Sequence, residues 1–253
     1  MRNACTVSPR KSAAQPPFVS IAPRSLTPVV LTCEHAFNRL PFRARIRPDE
    51  RTVLDSHWGW DIGAWRLTRD LARGLRTSAI GGRWSRLVID LNRRVDDPTL
   101  IRRAAGAVKL SWNASVSDAE AERRLAAYYA PYHAEVDRLI MRRLVRGIRP
   151  LLFSVHTFTP EFRGRTRRFD VGVLYERHAH PAHRMGRVLR RGGYSLRYNE
   201  PYSGMAGMMY CMDRHGSHHD LPCLELEVNQ GLCERPNPRL ARTILAGLRE
   251  LLA

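Results

Sequence analysis

The chain has 253 residues and a formal net charge of +18, with 42 lysine and arginine residues against 24 aspartate and glutamate residues. A chain of this length buries one sizeable core, and α/β folds of this size are often single domains. No stretch approaches the roughly 20 consecutive apolar residues of a membrane helix, so the sequence predicts no membrane-spanning segment.

The positive charge comes almost entirely from arginine, because lysine occurs only at Lys11 and Lys109. A basic surface attracts nucleic acid or acidic small molecules. The arginines are scattered, however, and the sequence has no helix-turn-helix, zinc-finger spacing or aromatic RNA-binding signature. We therefore interpret the charge as mainly a solvated surface and do not expect a nucleic-acid partner.

The N-terminal stretch and the cysteines indicate the cellular compartment in which the protein is expected. Residues 1–28 lack a continuous apolar core, which argues against a secretory signal and predicts a disordered tail. The five cysteines are odd in number, widely spaced and form no CxxC pair. Such a set indicates no disulfide framework, so the expected location is the reducing cytoplasm. These features do not specify the oligomeric state.

Structured sequence begins at residue 29, and we expect one domain over residues 29–253. The apolar run over residues 29–33 predicts a buried strand. Residues 61–76 carry apolar side chains at helical spacing, with Asp61 as a candidate N-cap. A second strand is predicted over residues 87–89. This alternation of strand, helix and strand indicates an α/β fold with a largely parallel sheet.

The second half of the chain continues the alternation. The longest helical region spans residues 118–146, is interrupted by Pro131, and carries an apolar stripe typical of a helix that packs on a core. Further predicted elements are strands over 151–156, 171–175 and 223–228 and helices over 181–191 and 238–252. No internal repeat or linker divides the chain. The prediction is a single-domain, three-layer α/β fold with a mixed, mostly parallel sheet between helices.

Two of the predicted strands each deliver a histidine at the carboxyl end. His35 follows the strand over residues 29–33, and His156 lies at the end of the strand over residues 151–156. The carboxyl ends of sheet strands are where α/β folds bind ligands. Either histidine alone is more often a core residue satisfied by backbone carbonyls. The two together predict a shared metal site.

Several sequence blocks, in order and spread over nearly everything after residue 28, carry a family resemblance. They are residues 33–41, 57–64, 85–93, 154–160, 171–175, 199–204 and 221–227. With these blocks the chain resembles the N-formylglutamate amidohydrolase family, particularly its broader amidohydrolase-like branch. The Asp-Leu-Asn-Arg block over residues 90–93 is also similar to that of aspartoacylases and zinc carboxypeptidases. The resemblance implies a zinc-carboxypeptidase-like fold and hydrolysis of an N-acyl amino acid of the N-formyl type.

Such chemistry indicates a metal ion. Hydrolysis of an unactivated amide at neutral pH calls for a metal that acidifies water and polarises the carbonyl. A catalytic zinc takes three protein ligands, often two histidines and one carboxylate. We expect Zn²⁺ bound by His35, His156 and a third residue. The resemblance favours Asp61 as the third ligand, and Glu34 and His57 remain alternatives.

The reaction also requires a general base beside the metal. Glu225 and Glu227 lie on the apolar run over residues 223–228, where a carboxylate is costly to bury unless it has a partner or a role. Alternation along a strand places both on the same face of the sheet, so the pattern alone does not choose between them. The resemblance favours Glu227.

Four further residues receive roles from the resemblance. A substrate carboxylate calls for a planar, bidentate cation, and Arg93, preceded by Asn92, resembles the carboxylate-binding pair of the related zinc enzymes. Arg86 is expected to polarise the scissile carbonyl or stabilise the oxyanion. His215 matches a family motif and is expected to assist the tetrahedral intermediate. The predicted partner is therefore a small molecule with a carboxylate.

A second class of function remains open at this stage. The chain could instead be a basic, non-catalytic binding module for nucleic acid or another acidic ligand that keeps the fold. Metal content separates the two hypotheses, since the enzyme needs zinc and a nucleic-acid-binding module gives salt-sensitive binding instead.

Overall fold

The computed structural model describes residues 15–23, 25–42 and 44–253. The strands in these ranges, numbered in chain order, are β1 Phe18–Ile21, β2 Val29–Cys33, β3 Ala79–Gly82, β4 Ala104–Ala105, β5 Val108–Lys109, β6 Leu151–Phe158, β7 Glu161–Phe162, β8 Arg165–Thr166, β9 Val171–Leu174, β10 Leu196–Tyr198 and β11 Cys223–Asn229. The α-helices are α1 Pro48–Asp55, α2 Ala64–Leu75, α3 Asp118–Arg124, α4 Ala130–Leu144, α5 Ala179–Arg191, α6 Tyr210–His219 and α7 Pro238–Leu252.

A seven-stranded sheet forms the middle layer, with strand order β1-β3-β2-β6-β11-β9-β10. The pairs β3/β2, β2/β6, β6/β11 and β9/β10 are parallel. The pairs β1/β3 and β11/β9 are antiparallel. Two short hairpins, β4/β5 and β7/β8, lie outside this sheet. The sheet is therefore mixed but mostly parallel, as the sequence predicts.

Helices cover both faces of the sheet. On one face, α2, α5 and α7 pack together over an apolar cluster that includes Leu71, Met185 and Ile244. On the other face, α4 and α6 pack over a second cluster that includes Val136 and Met212. The central strands β2 and β6 are fully buried, which explains their continuous apolar sequence. The predicted three-layer α/β architecture is confirmed.

Most predicted elements occur within a few residues of their expected limits. The long helical region is one continuous segment in which α3 leads through a π-helical turn, Leu125–Tyr129, into α4. Pro131 directly follows the π-helical turn, at the second residue of α4. The π-helical turn thus accommodates the proline without ending the helix.

Two expectations differ from the structure. The predicted strand over residues 87–89 is a turn, in which the backbone N–H of Val88 donates to the carbonyl of Ser85. Val88 and Ile89 are buried in the cluster beneath α4 and α6, and Leu87 is buried in a third cluster with Val53 and Leu54 of α1. A buried apolar run of this kind mimics a strand in the sequence. The expected disordered tail contains strand β1, which pairs with β3. Residues 1–14 of that tail lie outside the described residues.

Within the described residues, no helix has the length and apolar character needed to cross a bilayer.

Candidate active site

The candidate site lies at the carboxyl ends of three adjacent parallel strands. β2 leads directly into Glu34 and His35, and β6 carries His156 near its end. β11, on the other side of β6, places Glu227 opposite His156 in the strand register. Parallel pairing aligns the carboxyl ends of these strands, so their side chains meet at one edge of the sheet.

The centre of the site is formed by His35, Asp61 and His156, which are 1%, 3% and 2% exposed. Nδ1 of His156 lies 2.8 Å from Oδ2 of Asp61. Nδ1 of His35 lies 3.5 Å from the same oxygen and has no hydrogen-bond partner within the described ranges. One potential ligand atom from each residue lies within 4.8 Å of the other two. The three side chains predicted as metal ligands are thus together.

A buried carboxylate contacts the opposite nitrogen of each imidazole. Nε2 of His35 lies 2.7 Å from Oδ1 of Asp90, and Nε2 of His156 lies 2.8 Å from Oε2 of Glu34. A carboxylate behind an imidazole fixes the ring and makes its other nitrogen more basic, as is usual for histidines that bind metals. Both Nδ1 atoms are therefore oriented as potential ligands.

Asp61 is not the N-cap of the following helix. Helix α2 begins at Ala64 after Gly63, whose φ of 85° is in the left-handed region that favours glycine. Gly63 occupies the N-cap position and has no side chain that could cap the helix. The Asp61 carboxylate accepts a 3.3 Å hydrogen bond from the backbone N–H of Thr157. The turn directs the Asp61 side chain toward β6.

The two alternative ligands occupy different positions. Glu34 contacts the far nitrogen of His156, on the side away from Asp61, and also accepts hydrogen bonds from Ser154 at 2.6 Å and Tyr132 at 3.0 Å. His57 lines the adjacent cavity but belongs to no potential ligand group within the described residues. The contacts therefore favour Asp61.

The charges of the site favour a cation at its centre. Although burial disfavours the charged carboxylate, the neighbouring imidazoles His35 and His156 hold the pKa of Asp61 below its ordinary value. Burial also opposes protonation of His156, yet the carboxylates of Glu225, Asp61 and Glu34 raise its pKa well above the usual value. These carboxylates stabilise positive charge whether it is a proton or a metal ion. Two imidazoles and one carboxylate are a ligand set typical of catalytic zinc.

The two glutamates of β11 have different surroundings. Burial raises the pKa of Glu225 to about 7 and raises the pKa of Glu227 well above its usual value. Glu225 accepts a 3.4 Å hydrogen bond from Asn92 and lies 3.6 Å from Nε2 of His156. Oε2 of Glu227 is buried and, in the part of the chain that the structure describes, lacks a hydrogen-bond partner. Glu227 is thus the glutamate with an unengaged oxygen.

A cavity of about 270 Å³ opens beside these groups. Besides the residues of the centre, it is lined by aromatic rings and by arginines, namely Trp58, Phe158, Phe162, Tyr202, Arg86, Arg93, Arg102 and Arg163. The combination of apolar walls and guanidinium groups suits a small molecule that carries negative charge.

The predicted arginines differ in their contacts. Arg86 is paired with two carboxylates, since its guanidinium lies 3.3 Å from Asp61 and 3.4 Å from Asp90. Arg93 contacts Asp90 only at 3.9 Å, and otherwise donates to the sulfur of Met208 at 3.5 Å. Arg93 therefore keeps more donors for a ligand, whereas Arg86 holds Asp61 and Asp90 in place.

Asn92 lines the cavity but is engaged by the protein. Its Oδ1 accepts a 2.8 Å hydrogen bond from the backbone N–H of Cys211, and its Nδ2 donates to Glu225 and to the carbonyl of Met208, each at 3.4 Å. These contacts tie α6 and β11 to the loop before Arg93. A positioning role fits them better than direct substrate contact.

His215 does not belong to this site. It lies on α6, where Nδ1 is 2.7 Å from Asp137 and Nε2 is 2.9 Å from Nδ1 of His133. It does not line the cavity. Helix α6 directs His215 toward α4, a packing relationship that the short motif does not contain. The structure thus places His215 outside the cavity, and its expected role in catalysis stays a prediction.

Two contributors were missed by the sequence reasoning. Asp90 supports His35 and contacts both arginines, and its only signal was its place at the head of the Asp-Leu-Asn-Arg block. Arg102 lines the cavity and makes no ion pair with any described residue. Burial lowers the pKa of its guanidinium. Among so many arginines, nothing in the sequence distinguished Arg102.

Comparison with known proteins decides the family. The family model for N-formylglutamate amidohydrolase matches residues 27–233. The chain belongs to the N-formylglutamate amidohydrolase family. The resemblance inferred from the sequence blocks is thereby confirmed, and the family places the chain among hydrolases of amide bonds.

Two solved structures share the fold of this chain. A gene product of Agrobacterium tumefaciens is similar with a TM-score of 0.84 and 27% identity, over 95% of this chain and 94% of that chain. An N-formylglutamate amidohydrolase from Ralstonia eutropha JMP134 shares the fold with a TM-score of 0.73 and 19% identity, over 93% of this chain and 97% of that chain. No curated protein matches the chain.

Proposed function

We propose that this family member is a zinc-dependent hydrolase that cleaves the amide bond of an N-acyl amino acid of the N-formyl type. One observation carries the proposal: His35, Asp61 and His156 converge with both far imidazole nitrogens held by carboxylates, beside a cavity that contains Glu227 and Arg93. Such support behind both rings is expected for metal ligands.

His35, Asp61 and His156 would hold the ion. When bound there, zinc supplies a Lewis acid for the scissile carbonyl and lowers the pKa of water. Asp90 and Glu34 keep the two rings in the orientation that leaves each Nδ1 toward Asp61. Arg86 fixes the carboxylates of Asp61 and Asp90 relative to each other.

Glu227 is the proposed general base. Its buried Oε2 has no competing donor in the described residues, so it is available to accept the proton of the attacking water. The proton then passes from the Glu227 carboxyl to the nitrogen of the leaving amine.

Arg93 is the proposed site for the substrate carboxylate. A guanidinium binds a carboxylate through two parallel hydrogen bonds, which fixes both the position and the orientation of the bound acid. The weak contacts of Arg93 with Asp90 and Met208 leave it able to turn to a ligand. Asn92 supports this arrangement through its bonds to Glu225 and Cys211.

We propose the cytoplasm as the location. The cysteines at 33, 211, 223 and 233 are free and buried. Unpaired cysteines are usual in reducing compartments, where disulfides are rare.

The proposal is tested by assaying the purified chain against paired N-formyl and N-acetyl amino acids, before and after metal removal and again after zinc is restored. We expect hydrolysis of N-acyl amino acids that is lost with the metal and returns with zinc. Matched substrates in which the carboxylate is converted to an amide are the control, and they should be poor substrates. Hydrolysis that persists fully after metal removal would contradict the zinc dependence.

A further inference from the structure

A second group of metal-ligating side chains lies between α4 and α6. His133 and Asp137 are four residues apart on α4, and Cys211 and His215 are four residues apart on α6. Side chains at this spacing share one face of a helix. The two helices pack against each other, so the two pairs face one another across the interface.

The group is buried and compact. His133, Cys211 and His215 are 1%, 0% and 1% exposed. One potential ligand atom from each lies within 4.8 Å of the other two, and Nδ1 of His133 is 2.9 Å from Nε2 of His215. Two nitrogens bound tetrahedrally to one zinc ion are about 3.3 Å apart, given Zn–N distances of about 2.0–2.1 Å. The separation between His133 and His215 therefore needs only a small adjustment.

We propose that His133, Cys211 and His215 form a second metal site, which binds a zinc-type divalent ion separately from the site at His35. Thiolate and imidazole ligands suit such an ion, and this pair of ligand types distinguishes the second site from the first, which has no sulfur ligand.

The surroundings support an ion at this position. Nδ1 of His215 lies 2.7 Å from Oδ1 of Asp137, which also lies 3.0 Å from Nε2 of His219. Asp137 thus stands behind His215 as Asp90 stands behind His35, and this arrangement orients Nε2 of His215 toward His133 and Cys211.

The test replaces the natural metal by Co²⁺ in the full chain. A thiolate bound to Co²⁺ gives a near-ultraviolet charge-transfer absorption, whereas nitrogen and oxygen ligands do not. We expect wild type to bind two equivalents of Co²⁺ and to have this band. Cys211→Ser should bind one equivalent and lose the band, and the equivalent it retains would establish that it is folded.

Two matched variants complete the test. Cys33→Ser is the control for a buried cysteine beside the first site, and it should keep the band. His35→Ala should lose one equivalent and keep the band, which separates failure of the first site from failure of the second. Wild type that binds Co²⁺ without the band, or a band lost in Cys33→Ser and kept in Cys211→Ser, would overturn the proposal.

Discussion

Asp90 and His35 form a buried pair in which Oδ1 of Asp90 lies 2.7 Å from Nε2 of His35. The same oxygen accepts a 2.9 Å hydrogen bond from the backbone N–H of Asn92, and the other oxygen lies 3.4 Å from Arg86. The carboxylate is therefore fixed on several sides. Its position determines which nitrogen of His35 is available at the centre of the site.

Asp90→Asn should weaken zinc binding by about 10–100-fold, the usual cost of losing a carboxylate behind a metal-binding histidine. The amide keeps the shape of the side chain but lacks the charge, and its NH₂ group would face either His35 or Arg86. The measurement is zinc affinity by competition with a chelator. Asp96→Asn, an exposed aspartate paired with Arg94, is the control. Unchanged affinity in Asp90→Asn would argue against His35 as a ligand.

Glu227→Gln should retain zinc and substrate affinity but lose at least about a hundredfold in kcat, because general acid–base catalysis contributes on this scale. Glutamine preserves the size of the side chain and removes the group that accepts a proton from water. Steady-state kinetics and metal content, measured on the same preparation, check the prediction.

Glu225→Gln is the matched control on the same strand and face, and its effect on kcat should be smaller. A larger effect at Glu225 than at Glu227 would mean that the base is assigned to the wrong glutamate. His156, Glu225 and Glu227 also form a potential ligand group. Loss of zinc in Glu227→Gln would therefore make Glu227 a ligand and place the base elsewhere.

Arg93→Lys should raise KM by about tenfold with a smaller change in kcat. Lysine keeps the charge but loses one of the two hydrogen bonds to a carboxylate, and a hydrogen bond to a charged group contributes roughly 1.5 kcal/mol or more. Kinetics on an N-acyl amino acid provide the measurement. Arg94→Lys, at the neighbouring exposed arginine, is the control. Equal KM values for wild type and Arg93→Lys would remove Arg93 from the binding site.

Asp213 on α6 gives a pH-dependent contribution to stability. Burial and, secondarily, the nearby Glu176 raise its pKa from 3.8 to about 7, against an opposing effect of Arg177. The folded state therefore holds a proton that the unfolded state releases. The stabilising contribution is complete below the unfolded pKa and is lost as pH rises through about 7.

Asp213→Asn is neutral at every pH, so it should raise Tm by several degrees at about pH 8 and by less at about pH 5. Thermal unfolding of wild type and variant across this range is the measurement. A gain in Tm that does not grow with pH would mean that the Asp213 carboxyl does not carry the effect.

The sequence predicted the elements whose burial leaves a continuous apolar run. Strands β6 and β11 are recognisable for that reason. The predicted limits of the last helix, residues 238–252, are those of α7. Strand β3 was missed because its four residues, Ala79–Gly82, include two glycines. Residues 87–89 resemble a strand in the sequence because a buried turn has the same apolar composition.

Within the site, the sequence indicates the residues that lie at strand ends. It does not indicate the residues that support those side chains from behind. His35 and His156 were recognisable from their position at strand ends. The support of His35 by Asp90 depends on a contact between residues 55 positions apart, which no local pattern encodes. The position of His215 outside the cavity is likewise not encoded locally, since its partners lie on α4.

The most direct test of the account compares zinc content and hydrolysis in wild type, His35→Ala and His57→Ala. We predict that His35→Ala loses one equivalent of zinc relative to wild type together with all hydrolysis of N-acyl amino acids. His57→Ala, at the alternative ligand, should keep its zinc. Full zinc content and hydrolysis in His35→Ala would contradict a catalytic zinc held by His35, Asp61 and His156.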